Sequence, residues 1–446
     1  MSRCPTGDRS SLRRRSGALQ AILLSTAMLT WSRASLAQAI DIYFPQGAYG
    51  YDQQLGVTVQ TRAHPLYEPL GVQVGSFTVA PRADQSLFYN SNVNGFGNSG
   101  SWGSLTSASL SAASNWTRDS LSATVGFQHY QYISLPDESY TNWDVGLAGG
   151  YTIADSQLVV AYSHQTNFQL STTLGAVRST TPVQNQTDSV GAQYTFNFDK
   201  IAITPTIGVS AYRFGSATAG SVTFNQDYLN FNAFAAGVSG RYALDEQSGV
   251  LVVVRGLESS YISPQPGQPS NDSQSIFILG GIDYQPKGVW RYRLLAGLEV
   301  RKFSASQYPT RGAPDIEGSV IWSPTSLTTV DMTISNTIEA PQTGGTNGYI
   351  LTSGRVSVDH ELRRNIFVQA NGLIQHAQYL PNGTQTQFSG GAGISWLLNR
   401  AIRLSLDYGY TTSSTVSGVA KSSALAVQTA NQYTQNLIAL TVHFAL

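Results

Sequence analysis

The sequence predicts an all-β chain: a transmembrane antiparallel β-barrel of about 18 strands, with 16 as the alternative count, behind a signal peptide and a short extended lead. Three observations predict it. Apolar and polar residues alternate with period two in segment after segment, as in half-buried strands. Short charged turns recur at near-regular spacing, with longer polar loops between them. Charged residues make up only 12% of the 446-residue chain, about half the share of ordinary soluble domains.

The N-terminus carries Arg13, Arg14 and Arg15, then the uncharged, mostly apolar run Ala18 to Thr30, then small residues around Ala37-Gln38-Ala39. This is the three-part layout of a secretory signal peptide, 1–39, cleaved after Ala37 or Ala39. The run is too short for a helical span, which needs about 20 apolar residues. The only cysteine, Cys4, lies inside this segment. The mature chain therefore has no disulfide, Cys nucleophile or thiolate metal site. Removing six Arg and one Asp from 26 basic and 26 acidic residues leaves 20 and 25, a mildly acidic chain. No dense Lys/Arg run remains, so a nucleic-acid partner is excluded.

The alternation is plain in VWRYRLLAGLEVRKF. Trp290, Tyr292, Leu294, Ala296, Leu298 and Val300 share one face, and Arg291, Arg293, Gly297, Glu299 and Arg301 the other. Only a strand separates them this way. Ile402, Leu404, Leu406, Tyr408 and Tyr410 oppose Arg403, Ser405, Asp407 and Gly409, and Trp143, Val145, Leu147, Tyr151 and Ile153 oppose Asp144, Gly146 and Ala148.

Turns fall near Arg118-Asp119, Asp155-Ser156, Asp199-Lys200, Asp245-Glu246, Lys287-Gly288, Pro324-Thr325, Arg363-Arg364 and Asn399-Arg400. Each interval holds two strands and one long loop, and a pair of strands at each end brings the count to 18. Both chain ends then lie on the tight-turn side, as closure with periplasmic termini requires. A bilayer offers no water to free backbone groups, so a sheet can span it only if closed. A soluble propeller is the rival at this spacing, but blades repeat a motif and these intervals share only a pattern. The chain is thus expected in the outer membrane of a Gram-negative bacterium, with outer-membrane lipid and lipopolysaccharide as partners. In the final strand Ile438, Leu440, Val442, Phe444 and Leu446 make an outward ladder, which resembles the signal read by the outer-membrane assembly machinery.

Residues for chemistry are sparse. The six histidines, His64, His129, His164, His360, His376 and His443, are scattered singly and read as rim or lumen residues rather than a metal site. A Ser/His/acid set could still meet across strands, but there is no G-x-S-x-G. The glycine pairs Gly149-Gly150, Gly280-Gly281 and Gly390-Gly391 read as bends or sites of close packing within strands rather than phosphate loops. No catalytic residue, metal or cofactor is assigned, and the chain is read as a non-enzyme. Strand parity instead places Asp144, Arg241, Asp283, Arg291, Arg293, Glu299, Arg301, Glu317, Asp331, Arg355, Asp359, Arg403 and Asp407 toward the interior. Facing lipid would cost an Arg about 2–4 kcal/mol at the midplane. These groups line a polar conduit or pair as structural salt bridges. Trp102, Trp116, Trp143, Trp290, Trp322 and Trp396 sit near strand ends and form interfacial girdles or sugar-stacking platforms.

Residues 56–93 are more specific. Arg62, Pro65, Tyr67, Pro69, Gly71, Gly75, Phe77, Pro81, Tyr89, Asn90 and Asn92 resemble the opening of an outer-membrane β-barrel, porin-like family associated with exopolysaccharide and capsule export loci. That family usually has an acidic residue where this chain has Asn90 or Ser91. The resemblance implies export or surface handling of exopolysaccharide, with polysaccharide export components as partners. A general diffusion porin for small solutes and a barrel enzyme acting on lipid or glycan are the alternatives. Residues 40–72 are read as an extended periplasmic lead, because Pro65 and Pro69 favour extension, and 73–446 as the barrel. Pro81 implies a bulge or edge irregularity in the first strand.

Overall fold

The computed structural model describes residues 58–59, 62–97, 99–154, 156–265, 267–285, 288–341, 347–380, 383–414 and 432–446. The signal segment 1–39, most of the lead, Asp155, Lys287 and parts of loops 264–274 and 340–348 lie outside the described residues.

Eighteen long antiparallel strands form the wall: β1 Phe77–Asn90, β2 Ser101–Ser114, β3 Ser120–Tyr132, β4 Tyr140–Ile153, β5 Ser156–Gln169, β6 Val183–Asn197, β7 Ile201–Phe214, β8 Phe231–Ala243 and β9 Ser248–Tyr261, then β10 Ser273–Tyr284, β11 Trp290–Phe303, β12 Arg311–Thr325, β13 Thr328–Glu339, β14 Gly348–Arg363, β15 Ile366–Leu380, β16 Thr384–Leu397, β17 Ile402–Ser413 and β18 Tyr433–Ala445. Each pairs with the next, and β18 pairs back onto β1 from Arg82–Ala445 to Asn90–Leu437. The sheet is closed, which leaves no open edge. Both ends of the barrel sequence and every tight turn lie at one end; the longer connections lie at the other.

Two expectations near the first strand change. Pro81 stands opposite Leu110 in an unbroken β1–β2 register, so there is no bulge. Its missing N–H falls where β18 ends, since β18 pairs only from Arg82 onward. The lead is not extended at Pro65 either: Tyr67 and Glu68 N–H both donate to His64 O, which makes a turn. After it, Val72–Val74 forms a short strand on Phe77–Val79.

The outer face is apolar between two aromatic girdles. Trp143 and Tyr151 of β4 are both exposed and outward, as are Phe234 and Tyr242 of β8. A separation of eight residues is about 26 Å along a strand, or about 20 Å in height at the usual tilt, which suits an apolar band of about 25 Å. Trp290 and Trp322 stack at 5.3 Å in the girdle at the tight-turn end. The rim-or-lumen reading of the histidines needs correction. His164 is opposite outward Val145, with its Nδ1 2.7 Å from the accepting Oδ1 of Asp188, and His129 is opposite outward Thr106. Both face outward in the half nearer the long loops.

The inner face is not uniformly polar. Tyr212, Phe231, Leu251, Val253, Phe277, Leu279 and Leu295 of β7–β11 form a buried cluster that also holds Leu229 and Ala340 from the long connections. Curvature is tight at its end. A Cβ on inner Gly297 would come 1.8 Å from Ile278 O, and one on Gly281 2.0 Å from Leu294 O.

Candidate functional site

The barrel interior is the candidate site, and register decides which side chains reach it. On β11, Leu298 is 62% exposed while Glu299 is 0% exposed. Lipid-facing and inward residues alternate in the same way on every strand carrying a sequence-derived candidate. Asp144 lies on the inner face of β4, Arg241 of β8, Asp283 of β10, Arg291, Arg293, Glu299 and Arg301 of β11, and Glu317 of β12. Asp331 lies on that of β13, Arg355 and Asp359 of β14, and Arg403 and Asp407 of β17.

Many of these charges are neutralised within the wall. Arg241 Nε donates to both carboxylate oxygens of Asp283, at 3.0 and 3.1 Å. Arg301 donates to Ser275 Oγ and, at 3.0 Å, to Glu299 Oε1; it also donates to Ile338 O, while Ile338 N–H donates to Glu299 Oε2. Glu299 and Arg301 thereby hold the end of β13, which has left β12 after Asn336 and leans across the interior. Several inward charged residues lie outside the sequence-derived set, Arg255, Asp315 and Asp84 among them. Arg255 of β9 pairs with Glu317 and, at 3.5 Å, with Asp315 of β12. Asp315 is 0% exposed, so Arg255 is its compensation against the cost of burying an anion. Arg291 donates to Ser323 Oγ at 3.2 Å, and Arg293, Asp331, Arg355 and Asp359 also have interaction partners.

Three of the barrel carboxylates, Asp144, Asp283 and Asp407, share a device. Each stands directly opposite a glycine on the neighbouring strand, Gly126, Gly249 and Gly393. A Cβ on those glycines would lie within 2.3–2.7 Å of the carboxylate. The missing side chain lets the carboxylate lie along the wall.

At the closing seam Asp84 Oδ1 meets His443 Nδ1 at 2.7 Å, and His443 Nε2 meets Ser405 Oγ at 3.1 Å. The order Ser–His–Asp matches a hydrolytic triad, but the hydroxyl of Ser405 donates to Asp407 Oδ2 at 2.9 Å and Ser405 is 3% exposed. A nucleophile needs its proton on the base and its oxygen open to substrate. The chain instead ties β1, β18 and β17 together.

Both mouths are narrowed by the chain itself. At the long-loop end, residues 170–182 leave β5 and cross to the opposite wall. Leu174 packs with Tyr349, Leu351, Ala377 and Tyr379 of β14 and β15. Gly175 N–H donates to Gln385 Oε1, and Thr172 O accepts from Gln387 Nε2 and Tyr433 Oη. Arg178 of this loop lies 4.2 Å over Phe96 of the 91–100 loop. Beside them, Glu138 of the 133–139 loop is buried, which pushes its carboxyl up to about 7, against a hydrogen bond with Asn94. At the tight-turn end the lead runs along the rim. Gly71 N–H donates to Leu446 O, Arg400 to Pro65 O, Arg62 pairs with Glu361, His64 lies 3.4 Å from it, and Val59 N–H donates to Thr329 Oγ1.

Between the mouths, inner Ser107, Ser109 and Ser111 of β2, Ser122 and Thr124 of β3 and Asp144 of β4 stay half-exposed or exposed, whereas inner Leu251, Leu279 and Leu295 are buried. Open space therefore borders the β2–β4 wall, and β9–β11 are packed.

Residues 64–436 match the family described as "Putative beta-barrel porin 2". Among solved structures the chain is similar to Pseudomonas aeruginosa OccK2 (OpdF), at 11% identity and TM-score 0.45 over 83% of this chain and 97% of that one. It is also similar to P. aeruginosa OpdK solved with vanillate, at 9% and 0.43 over 82% and 98%, and to Acinetobacter baumannii OccAB4, at 11% and 0.43 over 86% and 100%. Among curated proteins no match was found.

Proposed function

Since the chain belongs to the beta-barrel porin family that its residues 64–436 match, we propose that it carries small polar solutes across the outer membrane through a bore narrowed by residues 170–182. The coarser statement is plain: this is an outer-membrane β-barrel of porin type.

One observation carries the finer reading. The 170–182 loop crosses the interior and is fixed to the far wall by Gln385, Gln387 and Tyr433. Loops held by hydrogen bonds from wall side chains narrow a bore without closing the half-exposed Ser/Thr path along β2–β4. Small solutes fit such a path, and a polymer would have to displace the loop. Polar groups lining a bore and its diameter together set what passes.

A second reading, exopolysaccharide handling, rests on the resemblance over residues 56–93. Proteoliposomes holding the purified protein separate the two when combined with a deletion strain. Flux of small sugars through the liposomes with unchanged surface polysaccharide in the deletion strain supports the small-solute reading. Closed liposomes with lost polysaccharide support the other.

A further inference from the structure

The inner wall is electrically lopsided. From β2 to β7 the inward residues are Ser, Thr, Gly, Ala, Gln, Asn, Tyr and a few apolar groups, and Asp144 is the single Asp, Glu, Lys, Arg or His among them. From β8 round to β1 charges of both signs are frequent, and several are paired within the wall: Arg241 with Asp283, Arg255 with Asp315 and Glu317, and Arg301 with Glu299. Asp144 has no hydrogen bond or ion pair among the described residues, and it is exposed to the interior. Gly126 opposite makes room for its carboxylate.

Its height matters as much as its isolation. Asp144 is directly opposite Gln165 of β5, and β5 ends at Gln169, where the crossing loop departs. Four residues of strand is about 13 Å. The carboxylate thus lies just below the base of the narrowing. At ordinary salt an exposed charge acts over about 10 Å, so an ion in a wide bore would pass it unaffected, but one held close to the β2–β4 wall would not.

We propose that Asp144 determines the charge selectivity of this conduit, so that the solutes carried are neutral or cationic and small anions are disfavoured. The inference rests on the conduit reading above. A paired carboxylate presents little net field to a passing ion, because its arginine cancels it at distance; along the β2–β4 wall Asp144 has no such cation beside it and sets the local field. Arg178, the one charged residue of the crossing loop, is turned onto Phe96 and belongs to the packing between loops.

The test uses the purified full-length protein in planar bilayers under a KCl gradient, with Asp144→Asn and the charge-keeping Asp144→Glu. The reversal potential of the wild type should show cation preference, with a permeability ratio of about 2–5. Asp144→Asn should bring the ratio to about unity, and Asp144→Glu should retain the preference. Heat-modifiable gel migration shows whether each variant is a folded barrel, and Asp144→Ser is the replacement if the Asn form is not. An anion-preferring or unselective wild type, or an unchanged ratio in the Asn and Ser variants, overturns the inference and leaves the conduit standing. No ion current together with no sugar flux in liposomes overturns the conduit reading, and the inference with it.

Discussion

Gly126 stands directly across the β3–β4 ladder from Asp144, and a Cβ added to Gly126 would lie 2.7 Å from Asp144 Oδ1. Gly297 has a neighbour of another kind: its Cβ would lie 1.8 Å from a backbone carbonyl, Ile278 O. A carboxylate at the end of a side chain can swing into the bore, but a paired backbone cannot. Gly126→Ala should therefore assemble as a heat-modifiable barrel, at a cost under about 1 kcal/mol, whereas Gly297→Ala should cost at least the 1–3 kcal/mol or so of an overpacked core and assemble poorly. Equal yields of the two folded barrels would contradict this.

Replacing lipid-facing and inward residues tests the register. Leu298→Arg places a guanidinium in the apolar band, at a cost of about 2–4 kcal/mol. Thr333→Arg, on the exposed inner face of β13, should insert normally. Glu299→Arg is a different case: it is inward but sealed, and it would leave Arg301 and the Ile338 N–H without their acceptor. It should disturb the end of β13. Normal assembly of Leu298→Arg would show that the faces of β11 are reversed.

That contrast shows what the sequence could and could not convey. Strict alternation in 290–303 and 402–410 made face and strand number legible, and the turn spacing made the closed count of 18 legible. Packing behind a face was not. Arg255 sits in VLVVVRGL, where inner Leu251 and Val253 are as apolar as outer Val250, Val252 and Val254, so period two vanishes. Such two-sided apolar runs are themselves a sign that both faces are covered. Asp315 follows Pro314 and Gly312, which blur the alternation. The crossing of residues 170–182 had no local signal, since a Ser/Thr-rich loop reads the same whether it projects outward or folds in.

Acidity should tighten the loops at the outer mouth. Burial raises the Glu138 carboxyl to about 7, helped by Asp137 and opposed by the hydrogen bond with Asn94. Because the docked value lies above the free one, the contribution to docking is complete below about pH 4.5 and is lost as pH rises through about 7, on the order of 3 kcal/mol in all. Amide exchange across residues 91–97 and 133–139 should quicken from pH 5.5 to 8, and Glu138→Gln should remove the dependence. Exchange in those loops that is independent of pH, once its intrinsic base catalysis is subtracted, would refute this.

The lead should be released by a single substitution at the periplasmic rim. Glu361 receives both Arg62 and His64, so Glu361→Ala removes the acceptor that both share. Trypsin added to the periplasmic side should then cut after Arg62 at least several-fold faster than in the wild type, since opening becomes the easier step. An unchanged rate would mean that Val59 and the Pro65 carbonyl hold the segment unaided.

Single-channel conductance before and after shortening the crossing loop tests the conduit most directly. Replacing residues 173–178 by two glycines removes Leu174 and Gly175, the contacts with β14, β15 and Gln385. The wild type should conduct in small, steady steps, and the shortened form in steps at least about twofold larger, because the narrowest section governs the current. Steps of equal size in both, or a wild type that does not conduct while the shortened form stays closed as well, would contradict a solute path narrowed by residues 170–182.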